Sequence, residues 1–300
     1  MSSSRSLATS AVDRASRPRP LGVRAVVRQA LPDLLRPVLR VLAPPILRLS
    51  ARLAARDRLR HVLLVSLVLA AQLAHGADYV REKKWADEIT PGLVVGDPLY
   101  LEGPNGHRFL TLHTGAGNAR AGLVIAHGIG VHPDWGLIGT LRSSLADQGY
   151  TTLSVQMPVL AAEAKPEEYP ATFDEAAERL RIALDALRAQ GHQKLALVSH
   201  SMGSRMVRAY LTKNPGTQAA AWVCIGLGGT EDFSGLRLPV LDLYGEHDLP
   251  AVLDAAKRRA PSLTASPRSR RVVVPGADHF FNNQGPALVK QVKDFLDTSL

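Results

Sequence analysis

Six short, largely continuous apolar runs constrain this chain most: Leu123–Ala126, Thr152–Val155, Leu195–Val198, Ala221–Ile225, Val240–Tyr244 and Arg271–Val274. A strand with one wet face alternates apolar and polar residues, whereas a continuous run marks a strand covered on both faces. Helical patterns lie between them, over Leu137–Gln148, Phe173–Gln190, Met202–Thr212, Ala251–Arg259 and Pro286–Leu296. The second sets Ala176, Leu180, Ala183, Leu184 and Leu187 on one stripe and stops at Gly191. A hairpin over Leu99–Leu101 and Arg108–His113, turned at Gly103-Pro104-Asn105-Gly106, adds two strands. Alternation of this kind predicts one α/β domain with a mostly parallel, eight-stranded sheet and helices on both faces. In such sheets ligands bind beyond the carboxyl ends of the strands.

Composition removes several other classes. Hydrophobic residues make up 46% and charged residues 21% of the 300, too apolar for a disordered chain. No period of repeat architectures is present, and the single Cys224, in mid-run, is a core residue rather than half of a disulfide. The net charge of +9 would suggest a nucleic-acid partner if it were spread over the fold. It is not: residues 1–60 hold thirteen Arg, three Asp and no Lys or Glu, and the remainder has 23 Lys+Arg against 24 Asp+Glu. Nucleic acid therefore drops out as a partner.

The arm over residues 1–60 also carries six prolines, which divide it into short pieces, so it is expected to be disordered or absent from the mature protein. Residues 61–77 follow. Within them Val62–Ala77 has no formal charge, stands behind Arg56, Arg58 and Arg60, and ends in small residues. A bilayer span needs roughly 20 apolar residues. The shorter run with a basic flank describes a secretory signal peptide, so export to the periplasm or medium is expected, with a biological start downstream of Met1. Left uncleaved, the segment becomes an N-terminal membrane anchor; a buried helix and a mitochondrial-type transit peptide are the other readings. Residues 78–300 form the folded domain.

The Leu195–Val198 run ends in Ser199-His200-Ser201-Met202-Gly203 and passes directly into a helical pattern. Strand, sharp turn and helix is the context of a nucleophile elbow, with Ser201 at the apex and a helix N-terminus favouring negative charge beside it. Gly203 permits close approach there, while Ser199 stands where a first glycine is commoner. Taken alone, the pattern also fits an ordinary turn with Ser201 as N-cap. An acid and a base should follow in that order at the ends of later strands. Asp248 follows Val240–Tyr244 and His279 follows Arg271–Val274, so His279 is the expected base and Asp248 its partner; Asp232 and Glu246 are alternative acids, and Asp278 would point away.

His127-Gly128-Ile129-Gly130 occupies the place of an oxyanion loop, and the backbone N–H groups of Ile129 and Met202 are the expected donors. His127, Gly128, Trp135 and His200 are the candidates for contact with substrate. Bracing of the loops by the two histidines and cover of the sheet by Trp135 are the alternatives. His127, His132, His200 and Asp134 lack any metal-ligand spacing, and Gly226-Leu227-Gly228-Gly229 lacks the helix and acid of a dinucleotide fingerprint, so neither metal nor cofactor is expected.

From about Leu123 to Phe281 the chain resembles the α/β-hydrolase superfamily. More narrowly, Trp85–Ile89 through Val94–Asp97, His127–Gly130 with His132–Trp135, and Ser199–Gly203 resemble an uncharacterised proteobacterial branch whose members carry export signals. The resemblance implies serine-hydrolase roles for Ser201, Asp248, His279, Ile129 and Met202, and it implies no particular substrate. Only Gly226–Leu238 separates two of the strands, too little for the helical cap of many relatives, so an open site without a large cap domain is expected. The activity expected is cleavage of carboxylic esters or thioesters through an acyl-enzyme on Ser201, with a small acyl compound as partner. A non-catalytic envelope binding protein of the same fold and an acyltransferase using the same three residues are the alternatives.

Overall fold

The computed structural model describes residues 76–103, 106–263 and 266–300, so the basic arm and nearly all of the signal-like segment lie outside the described residues. The chain runs α1 (Tyr79–Ile89), β1 (Asp97–Glu102), β2 (Arg108–Thr114), β3 (Gly122–Ala126), α2 (Leu137–Asp147), β4 (Thr151–Val155), α3 (Phe173–Ala189), β5 (Leu195–His200), α4 (Met202–Lys213), β6 (Ala221–Ile225), β7 (Val240–His247), α5 (Pro250–Arg259), β8 (Arg270–Asp278) and α6 (Gly285–Ser299). One sheet of eight strands has the order β1-β2-β4-β3-β5-β6-β7-β8. The β1–β2 and β2–β4 pairs are antiparallel and all the others parallel.

Five of the six apolar runs sit between two layers; the sixth, Arg271–Val274, lies in β8 at the edge of the sheet, where Val274 is buried and Val273 is exposed because, among the described residues, no further strand and helix cover it. Val124, Ala126, Leu195, Leu197, Trp222 and Cys224 pack with α3 and α4 on one face of the sheet. Their neighbours Leu123, Ile125, Ala196, Val198, Val223 and Ile225 pack with α2 and α6 on the other. Period-two side-chain geometry thus sends alternate residues of the same run into separate cores, and both must be apolar.

α1 is the helix that the apolar pattern does not reveal. Its buried residues are Glu82 and Ala86, so it presents no apolar stripe. Polar contacts hold it instead: Glu82 accepts from Arg179 on α3 at 2.9 and 3.1 Å, and the Asp78 N–H donates to the Val159 carbonyl. Among the described residues no helix is long and apolar enough to cross a membrane. No helix interrupts Gly226–Leu238, and among the described residues no large cap covers the carboxyl edge of the sheet.

Candidate active site

The carboxyl ends of β3, β5, β6, β7 and β8 converge, and each supplies one part of the site. β5 ends at His200 and α4 begins at Met202, leaving Ser201 alone to turn the chain. It does so at φ +54°, ψ −120°, a sparsely populated conformation for a residue with a side chain. The turn is held by hydrogen bonds from the Ser201 N–H to the Ile225 carbonyl at 2.9 Å and from the Ser204 N–H to the Ser201 carbonyl at 2.9 Å. Gly203 is obligatory here. A Cβ at that position would lie 2.3 Å from the His127 carbonyl oxygen and 2.7 Å from that of Ala126. Ser199 is accommodated because its buried hydroxyl accepts from the Trp222 indole N–H at 2.8 Å and pairs with the Ser204 hydroxyl at 3.0 Å.

Ser201 Oγ lies 3.1 Å from His279 Nε2, and His279 Nδ1 lies 2.6 Å from Asp248 Oδ1. Asp248 is itself fixed by the Leu249 N–H on Oδ1 at 2.7 Å and the Gly245 N–H on Oδ2 at 3.3 Å. Because the carboxylate accepts from Nδ1–H, Nε2 is left with its lone pair facing the serine hydroxyl. Gly226 makes room for the ring: a Cβ on it, at φ +59°, would stand 3.0 Å from His279 Cε1. The alternative acids are engaged elsewhere, Glu246 with the Gly276 N–H and Asp232 with Ser234. Asp278 shapes the loop that presents His279. Its carboxylate accepts from the N–H groups of Phe280 and Asn282, each at 3.0 Å, and from the Asn282 side chain at 2.7 Å. That loop carries positive φ at Phe281 and Asn283. Sequence reasoning missed this capping role, although an Asp in a loop, able to accept from the backbone N–H two residues on, is the Asx-turn signal for it.

His127-Gly128-Ile129-Gly130 lies against the elbow, with a Cβ on Gly128 falling 3.3 Å from Ser201 Cβ. Among the described residues neither the Ile129 nor the Met202 N–H donates to another group. His127 accounts for how this loop is set. Its Nε2 accepts from the Met157 N–H at 2.9 Å, so the proton is on Nδ1, which donates to the Gly128 carbonyl at 2.8 Å. A trans peptide directs its N–H opposite to its C=O, so fixing the Gly128 carbonyl also fixes the Ile129 N–H.

The structure corrects two of the expected substrate contacts. His127 is buried with both ring nitrogens occupied, and burial pushes its imidazole down to about 3. His200 is buried too; its Nε2–H donates to the His279 carbonyl at 2.9 Å, and burial, with His279 beside it, pushes it down to about 3. Both are neutral braces. Gly128 borders the serine through its backbone, and Trp135 is half-buried, edge-on to the exposed Phe280 at 5.5 Å between ring centres. Phe280 in turn lies 5.1 Å from the His279 ring, so one side of the site is aromatic. Leu249, next to Asp248, is a further exposed apolar side chain. Among the described residues no cluster of three or more His, Cys, Asp or Glu could hold a metal ion.

Comparison with solved structures identifies the architecture as the α/β-hydrolase fold. Est1E of Butyrivibrio proteoclasticus, in a complex with ferulic acid, is 14% identical with a TM-score of 0.57, over 67% of this chain and 98% of that one. A serine hydrolase without a lid from Xanthomonas campestris is 18% identical, TM-score 0.54, over 69% and 96%. A dienelactone hydrolase from Anabaena variabilis is 20% identical, TM-score 0.55, over 68% and 99%. Residues 104–179 match a family of unknown function, DUF3530. No curated protein sequence matches.

Proposed function

We propose that this protein is a serine hydrolase that cleaves carboxylic esters or thioesters through an acyl-enzyme on Ser201. The observation that carries the reading is the array of Ser201 Oγ, the His279 ring and the Asp248 carboxylate, at 3.1 and 2.6 Å, on an elbow strained at φ +54°. His279 Nε2 takes the hydroxyl proton as Oγ attacks the acyl carbon, and Asp248 stabilises the imidazolium that results. The carbonyl electrons move onto oxygen, which the Ile129 and Met202 N–H groups receive. Collapse expels the leaving group, protonated by His279; water, deprotonated by the same nitrogen, then attacks the acyl-enzyme, and Ser201 recovers its proton.

The aromatic flank of Trp135 and Phe280 and the exposed Leu249 favour an apolar acyl or leaving group, and the ferulic acid held by Est1E is consistent with an aromatic one. The apolar Val62–Ala77 run behind its arginines supports export, followed by release into the periplasm or medium or, uncleaved, by anchoring. N-terminal sequencing of the exported protein tests that part; a mature chain that retains residues 62–77 in the membrane fraction decides for the anchor. Activity is tested with p-nitrophenyl esters and acyl thioesters of graded chain length. Turnover by wild type and loss of about four decades or more in Ser201→Ala is the expected result. Turnover unchanged in Ser201→Ala would falsify the assignment, and products acylated on an added alcohol, with none on water, would mark a transferase.

A further inference from the structure

The loop that carries the Ile129 N–H is gripped from inside by His127, and α1 lies against its outer side. Arg81 on α1 donates through one guanidinium nitrogen to the Leu160 carbonyl at 2.8 Å and through the other to the Gly130 carbonyl at 3.3 Å. Gly130 turns the loop at φ +66° immediately after Ile129. One helical turn further along α1, Trp85 lies 4.6 Å beneath the Arg81 guanidinium and faces the His132 ring at 5.9 Å. Residues four apart share a helix face, so one side of α1 meets the loop at both Gly130 and His132. The planar fork of arginine can serve two carbonyls at once, which a lysine ammonium on one stem does less well.

We infer that Arg81, backed by Trp85, is a positioning residue that holds the oxyanion loop from α1, so the helix before the sheet is part of the working site. The inference rests on the hydrolase reading for its kinetic consequence and on geometry alone for its mechanical one. Without Arg81 the Gly130 carbonyl loses its guanidinium donor, the loop gains freedom, and the Ile129 N–H is no longer held where negative charge develops. The loss should fall on the transition state rather than on ground-state binding.

The test uses the full-length protein with Arg81→Met, Arg81→Lys and, as a control, Lys83→Ala. The control removes an exposed ion pair within α1, from Lys83 to Asp87, and touches neither the Arg81 contacts nor the Glu82 pair that docks the helix. Amide hydrogen exchange of residues 127–135 is expected to accelerate about tenfold or more in Arg81→Met. Its kcat on an ester should fall by about tenfold to a hundredfold with KM within about threefold of wild type, and affinity for a boronic acid should fall with kcat. Arg81→Lys should lie between the two, and it carries the test if Arg81→Met fails to fold. Unchanged exchange in the arginine variants, or equal acceleration in Lys83→Ala, overturns the inference. If wild type hydrolyses nothing, the hydrolase reading fails, and the exchange measurement alone decides whether Arg81 holds the loop.

Discussion

Ser199 shows how a single residue can depart from a pattern and keep its geometry. The buried Trp222 indole needs an acceptor, and the Ser199 hydroxyl supplies it at 2.8 Å from the next strand. Ser199→Gly, although it restores the commoner residue, should therefore leave Trp222 Nε1–H unpaired and cost about 1–3 kcal/mol in urea denaturation, with kcat largely retained. A variant as stable as wild type would remove this account. His127 and His200 set a second expectation. Each has a folded pKa of about 3 against an ordinary value of 6.5, so between those limits the unfolded chain binds protons that the native state refuses. Their contribution to stability is full above 6.5 and is lost as pH falls toward 3. Denaturation across that range should show the decline, flatter in His127→Asn; an equally steep decline in that variant would mean that His127 is not held neutral.

The junction of element with element depends on glycines that the sequence marks only partly. Gly203 was legible as the close contact of an elbow, and the neighbouring strand proves to be β3, through the carbonyls of Ala126 and His127. In the sequence Gly226, at the end of β6, stands only in a run that is no dinucleotide motif. Its role is to leave space for the His279 ring, a contact between residues far apart in the chain that no local pattern encodes. Gly226→Ala, with a positive φ and a Cβ 3.0 Å from His279 Cε1, should displace the ring and lower kcat/KM by about two decades, while the fold persists. Measuring kcat/KM alongside far-ultraviolet circular dichroism checks this, and full activity would show that the ring has slack. The central parallel strands are legible because burial on both faces leaves a continuous apolar run, whereas β8, at the edge, keeps such a run with Val273 exposed. α1 is not legible, because its buried face is polar and becomes intelligible only when Arg179 is seen opposite Glu82.

For the whole molecule, the positive charge that dominates the composition resides in the arm, and the domain that carries the site is close to neutral. Cys224, at the centre of the sheet and with its thiol pushed up by burial, reports on that domain as a unit. It should resist iodoacetamide in the native protein and react once urea unfolds it; rapid native labelling would contradict a closed core. The order of Ser201, Asp248 and His279 is legible because each directly follows a strand, and strand ends are recognisable. Their convergence is not, since it depends on the strand order across the sheet. If this convergence makes Ser201 a nucleophile, the serine should react with a fluorophosphonate. The full-length protein should form one adduct, mapped by mass spectrometry to Ser201, with labelling slowed by about three decades or more in His279→Ala and abolished in Ser201→Ala. Absence of an adduct on wild type, or an adduct that survives Ser201→Ala, would contradict it.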